Sequence, residues 1–302
     1  MSGEAEHLRA YVEYFRDLGV HDFYRRGEPV VEASAVEQVS APVAEALPVT
    51  AHPVPEKVAV PSSAEHVVAV PVRPAPTPIS SSRSEFLEPP NLKLVSFNNL
   101  APLPEKRMVA ADRPAALRAI QEEIGDCTRC PLAYAGRHKI VFADGDPSAR
   151  LMFVGEGPGA DEDAQGLPFV GKAGQLLNNM IGAMGLKREQ VYIANIVKCR
   201  PPGNRTPEPV EATTCSQFLL KQIDVVQPEF IVALGSTAAT YLLGVKQSLA
   251  GLRGRWHSCR GAKLAVTYHP AFLLRDPRQK AEAWKDLQMV MKEMGLKVPS
   301  KG

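Results

Sequence analysis

Four short apolar runs punctuate the C-terminal two-thirds of the chain: RLMFVG (150–155), QVYIANI (190–196), EFIVALG (229–235) and KLAVTYH (263–269). Each is rich in β-branched and aromatic residues and shorter than a buried helix, so each is predicted to be a strand. Between and around them the spacing becomes helical, over PAALRAIQEEIG (114–125), AGQLLNNMIGAMG (173–185), PVEATTCSQFLLKQIDVV (209–226), STAATYLLG (236–244) and RQKAEAWKDLQMVMKEM (278–294). Strands alternating with helices imply an α/β fold, a mainly parallel central sheet covered on both faces in a three-layer α/β/α arrangement.

The first third reads differently. In residues 1–27, Leu8, Tyr11, Val12, Phe15 and Leu18 form one apolar stripe at helical spacing, which predicts a short amphipathic helix. Residues 28–110 lose all periodicity, and residues 41–90 hold 11 prolines among Val, Ala and Ser. Proline at that density interrupts both helices and sheet ladders, so an extended, disordered linker is expected. The globular body is then expected over 111–302, with the N-terminal helix tethered to dock on it or to recruit a protein partner.

Composition narrows the class. With 45% apolar residues in 302 the chain can bury a core. It has no run of some 18 apolar residues for a membrane span and no basic-then-apolar leader, so a cytoplasmic location is expected. The net charge of +2 divides unevenly: residues 1–100 carry 8 Lys+Arg against 13 Asp+Glu, and residues 101–302 carry 27 against 20. A basic C-terminal body is compatible with a nucleic-acid partner.

The candidate chemistry lies where the predicted strands end, because open α/β sheets bind ligands beyond the carboxyl ends of their strands. Glu156, Asn195 and His269 stand at three such ends. The turn VGEGPGADED satisfies the loose dinucleotide fingerprint through Gly155, Gly157 and Ala160. Pro158 removes one of the N–H groups that a pyrophosphate needs, and Asp161, Glu162 and Asp163 crowd negative charge there. The ribose-binding acid is also missing near Gln175. The turn better suits a neutral, flat ligand whose reacting centre becomes positive.

Four of the five cysteines form a second constellation. Cys127 and Cys130 make a C-x2-C clip, Cys199 follows the Asn195 strand, and Cys215 lies in the next helix. In a reducing compartment such thiols point to metal; soft S4 ligation suits zinc or an iron–sulfur cluster, and spacing does not choose between them. Cys259 is expected to be an ordinary thiol. The proline-stiffened loop between Cys199 and Cys215 carries Lys198, Arg200 and Arg205 at positions suited to phosphate contacts. A second basic loop, LRGRWH (252–257), precedes the last strand.

Taken as an ordered set, C-x2-C, GEGPG-x2-ED, LPFVGKAGQLL, NIVKCRPPGNRTP, Cys215 and HPAFLLR resemble the family 4, iron–sulfur uracil-DNA glycosylases over about residues 120–295. The resemblance implies hydrolysis of the N-glycosidic bond of uracil in single- or double-stranded DNA, by a monomer. A [4Fe-4S] cluster would sit on Cys127, Cys130, Cys199 and Cys215. It assigns Phe169 to stacking on uracil, Asn195 to its Watson–Crick edge, and Gly157 and Glu162 to the pocket wall. His269 would donate to the departing base and Glu156 would face the sugar cation. Leu273 is expected to be the wedge that fills the vacated stack, and Arg275 to reach phosphate. The alternative within the same superfamily is a protein that captures uracil covalently; LRGRWH ends in His257 but lacks the longer basic run of such proteins. A zinc-ribbon binding module is a second alternative.

Overall fold

A computed structural model describes residues 94–298. The expected N-terminal helix and most of the expected linker lie outside them. All four predicted strands form, as β2 (Leu151–Gly155), β3 (Tyr192–Asn195), β4 (Phe230–Leu234) and β6 (Ala262–Thr267). Two short strands, β1 (Asp144–Gly145) and β5 (His257–Cys259), complete a six-stranded sheet in the order β1-β3-β2-β4-β6-β5. The four central strands run parallel and both edge strands antiparallel, so the sheet is mixed.

Every residue of β2 and β4 is buried, as a sheet covered on both faces requires. Their side chains alternate between two cores with period two. Met152, Val154, Ile231, Ala233, Leu264 and Val266 enter one core. There they meet the helices Arg113–Ile124 (α2), Pro209–Val226 (α5) and Gly235–Leu243 (α6). Leu151, Phe153, Val232, Leu234 and Ala265 enter the other, against Lys172–Ala183 (α4) and Lys280–Met294 (α9). The expected three layers are present.

Residues 94–110, the end of the expected linker, pack against the body. The short helix α1 (Phe97–Leu100) buries Phe97 to 1% exposure in the first core. Asn98 donates to the Ser258 carbonyl of β5 at 3.1 Å and accepts from the Arg260 N–H at 2.6 Å. The Arg260 guanidinium donates to the Pro102 carbonyl at 2.7 Å and, more closely, to that of Ala101. Residues 94–110 thus cover the β5 edge, which would otherwise present unpaired backbone groups. Composition concealed this, because a strap of this kind is held by backbone carbonyls rather than by a periodic apolar face.

The connection from β2 runs to β3 on one side, and the connection from β4 runs to β6 on the other. The strand order therefore reverses between β2 and β4, and a crevice opens at their carboxyl ends.

Candidate active site and thiol cluster

That crevice is a cleft of about 730 Å³, lined by the ends of β2, β3 and β4 and by the turn after β6. Its size is that of a small-molecule or nucleotide pocket. Glu156, Gly157, Glu162, Phe169, Asn195 and His269 all line it, as do Arg205 and Arg275. The acid, the amide and the imidazole expected at three strand ends therefore share one space.

The Asn195 side chain is buried, and its Oδ1 has no hydrogen-bond partner among the described residues. A buried acceptor left unpaired costs about 1–3 kcal/mol, and its place in the cleft wall aims that need at a ligand donor. Gly155 makes the slot possible. A Cβ built there would lie 2.4 Å from Asn195 Oδ1 and 2.5 Å from Phe169 Cζ. Only a residue without a side chain lets the amide and the ring approach the strand end so closely.

Phe169 occupies the left-handed region with φ 53°, a conformation that costs a residue with a side chain on the order of 1–3 kcal/mol. Its ring centroid is 5.6 Å from that of His269 at an interplanar angle of 34°. The loop around it is clamped at its peptide groups. Glu162 Oε1 accepts from the N–H groups of Val170 and Gly171 at 2.9 and 3.0 Å, while Oε2 accepts from Gly159 at 3.0 Å. Glu162 thus fastens both ends of the glycine-rich turn, and it occupies an N–H group that a phosphate would need.

His269 caps α8 (Pro270–Arg275), its Nδ1 accepting from the Ala271 N–H at 3.2 Å. With Nδ1 an acceptor, the ring proton of the neutral imidazole is on Nε2. Burial, reinforced by the positive charge of Arg275, pushes its pKa down to about 4, so the ring is neutral at pH 7. At Gly235, with φ +91°, an added Cβ would lie 3.1 Å from the His269 Cβ, so the glycine leaves room for the ring. Glu156 accepts a short hydrogen bond from Thr237 Oγ1, across the point where the strand order reverses. Thr237 carried no signal in the sequence beyond its helical position.

Cys127, Cys130, Cys199 and Cys215 line a second cavity together with Ile124, Ile140 and Phe218. Among the described residues no three of His, Cys, Asp or Glu close into a site for a single metal ion. Three of the sulfurs accept hydrogen bonds: Cys127 from Arg129 at 3.5 Å, Cys199 from Arg137 at 3.4 Å, and Cys215 from the Lys198 N–H at 3.3 Å. Donors directed at sulfur suit anionic thiolates. Burial alone pushes Cys215 up to about 12 and raises Cys199 and Cys130, so these groups need a positive centre to become thiolates. Cys259 is buried in β5 and is not among the residues that line this cavity.

Lys198 and Leu273, both expected to contact DNA, are buried. Lys198 is 1% exposed; its Nζ donates to the Asn195 carbonyl at 2.9 Å and to Gln222 Oε1 at 2.6 Å, so it braces the interior. Leu273 is fully buried in the second core, and its neighbour Leu274 is 44% exposed. A six-residue helix turns one of two adjacent leucines inward, and the motif spacing does not say which. Arg200 and Arg205 are half-buried and hold their own loop, Arg200 on Asn204 at 2.8 Å and Arg205 on Glu211 at 2.7 and 2.8 Å. Arg275 is exposed at the cleft. In the second basic loop, Arg253 pairs with Asp286 at 2.7 Å and lies over the Tyr268 ring at 4.2 Å. His257 is bonded to the Leu252 carbonyl at 2.8 Å and is not among the cleft-lining residues.

The fold and this cleft are those of a base-excising hydrolase class: residues 142–288 match the sequence profile described as the Uracil DNA glycosylase superfamily. The chain is 45% identical over 166 residues to the type-4 uracil-DNA glycosylase of Thermotoga maritima, covering 54% of this chain and 86% of that one. It is 41% identical over 181 residues to the type-4 uracil-DNA glycosylase of Pyrobaculum aerophilum, covering 57% and 92%. Over 193 residues it is 36% identical to the type-4 uracil-DNA glycosylase of Archaeoglobus fulgidus, covering 61% and 96%. The chain belongs to the type-4 uracil-DNA glycosylase family.

Proposed function

We propose that this protein hydrolyses the N-glycosidic bond of uracil in DNA, releasing the free base and leaving an abasic site for repair. The observation that carries the reading is the orphaned Asn195 Oδ1, buried in a slot that it shares with the Phe169 ring and the neutral His269 imidazole. A base inside a duplex is out of reach, so the substrate nucleotide is flipped into the cleft. Its flat face stacks on Phe169, and its N3–H donates to Asn195 Oδ1. Cytosine, with a lone pair at N3, leaves that oxygen unpaired and is rejected.

Bond cleavage puts negative charge on the base and positive charge on the sugar. His269, neutral and with its Nε2 proton fixed by the Ala271 contact, donates to uracil O2 as that charge grows. Because the imidazole is already neutral, it stabilises the anion without first giving up a proton to solvent. Glu156, held by Thr237, faces the oxocarbenium-like sugar and orients the attacking water. Gly157 lets the pocket wall pack against Val197, since a Cβ there would lie 2.7 Å from Val197 Cγ2. Glu162 holds the wall in place through its three backbone contacts. Arg275 is available to phosphate, and the exposed Leu274 beside it takes the wedge role first expected of Leu273.

Cys127, Cys130, Cys199 and Cys215 would hold a [4Fe-4S] cluster. The donor set fits one: four sulfurs around one apolar cavity, three of them hydrogen-bonded by cations or backbone. When bound, the cluster supplies thiolate ligation that ties the 127–130 turn to the Cys199 loop and α5. His257, bonded to the Leu252 carbonyl and outside the cleft lining, is not placed to serve the covalent-capture alternative.

The test is a uracil-containing oligonucleotide incubated with purified protein. Free uracil and an alkali-labile strand are expected; an intact strand, or a protein–DNA adduct that survives heat and detergent, would refute hydrolysis.

A further inference from the structure

Phe169 holds a left-handed conformation that its own side chain disfavours, so something must hold it there. Glu162 secures the N–H groups after it. The carbonyls of Pro168 and of Phe169 itself are secured by Arg188, a residue in the turn before β3 that does not line the cleft. Arg188 Nη1 donates to the Phe169 carbonyl at 3.1 Å and to Asn178 Oδ1 at 2.9 Å, and Nη2 donates to the Pro168 carbonyl at 2.6 Å. Its Nε donates to Asp144 Oδ2 at 2.7 Å. Asp144 belongs to β1, so this two-residue strand carries the counter-charge that aims the guanidinium at the loop.

We infer that Arg188, anchored by Asp144, is a positioning residue for base recognition: it fixes the Phe169 ring as a preset stacking face, and so acts on uracil through Phe169 alone. The inference rests on the reading of Phe169 as the stacking platform. Guanidinium geometry is essential to it. A planar fork reaches two successive carbonyls and two side-chain acceptors at once, which the single ammonium of lysine cannot. Gly174 completes the arrangement, because a Cβ there would fall 2.0 Å from the Phe169 carbonyl group. A platform fixed before the base arrives loses no ordering entropy on binding.

The experiment compares Arg188→Lys and Arg188→Gln in the full chain, alone and combined with Phe169→Ala, under single-turnover conditions. Displacing a positioning group by about an ångström lowers rate on the order of 10- to 100-fold, and that loss is expected for each Arg188 variant alone. Inhibition by free uracil should weaken in parallel, while affinity for a uracil-free strand stays within about twofold. In the Phe169→Ala background the same changes should add less than about twofold, because contacts that act through one residue are not additive. Should both Arg188 variants fail to fold, Asp144→Asn, which loosens the guanidinium but keeps its carbonyl contacts, is expected to give a smaller loss with the same dependence on Phe169.

Losses that multiply in full in the double variant would overturn the role of Arg188 and leave the platform standing. Wild-type excision by Phe169→Ala alone would overturn the platform, and this inference with it.

Discussion

At the scale of single residues, the cleft is built from groups whose ordinary behaviour has been suppressed. His269 is the clearest. Its folded pKa of about 4 lies below the ordinary imidazole value of 6.5 because burial disfavours the imidazolium. Between those values the unfolded chain binds a proton that the folded protein refuses, so stability falls as pH drops through that window. Below about pH 4 the loss is complete, and by linkage it amounts to about 3 kcal/mol. Chemical denaturation of the wild type and of His269→Gln across that range should show the slope in the former and its reduction in the latter. Removing the donor should also slow excision by about 2.7–4 kcal/mol of barrier, measured with His269→Ala at neutral pH, with DNA affinity retained. Asn195 and His269 were both legible in the sequence, since they terminate apolar runs that could only be strands. Arg188 and Thr237 were not: the partners of Arg188 include main-chain carbonyls, which no residue type announces, and Thr237 sits in a helix turn like any other.

At the scale of elements, the long periodic segments were readable and the short ones were not. β2, β3, β4 and β6 form where apolar runs were found, because a strand buried on both faces must be apolar throughout. β1 and β5, two and three residues long at the sheet edges, bury too little to leave a pattern. Helix α8 shows the same limit at finer grain, since burial of Leu273 rather than Leu274 depends on how that single turn meets α4 and the core beneath it. A wedge must reach the duplex to act. Leu274→Ala should therefore reduce excision from double-stranded DNA several-fold more than from single strands, as read by paired kinetics on the two substrates. Leu273→Ala should instead lower stability by about 2–5 kcal/mol through the cavity it leaves, with no such substrate dependence. Glycines give a complementary test. Gly155→Ala puts a methyl where the base must lie, against Asn195 and the Phe169 ring. It should abolish uracil excision more severely than it lowers melting temperature, a difference that paired activity and unfolding measurements will read.

At the scale of the whole molecule, the cleft and the thiol cavity are two ends of one structure. The strand that ends in Asn195 continues through Lys198, whose Nζ holds the Asn195 carbonyl and whose N–H holds Cys215, into Cys199, a proposed cluster ligand. A lysine ammonium at this depth is tolerable only because Nζ donates both to the Asn195 carbonyl and to Gln222 Oε1. Its sequence neighbours, prolines and arginines, gave every sign of a surface loop and none of this bridge. Loss of the sulfur-held centre should therefore be felt at the uracil slot, although no reacting atom touches it. Cys199→Ser and Cys215→Ser are expected to yield protein with less iron and a lower melting temperature, by several degrees at least for a loss of a few kcal/mol. Where soluble protein remains, affinity for free uracil should fall alongside iron content, because Asn195 has lost the end of the chain that anchors it. Iron analysis and uracil inhibition measured on the same preparations decide the matter. Full iron content in both variants would remove these two cysteines from the ligand set, and lost iron with unchanged uracil affinity would sever the link through Lys198.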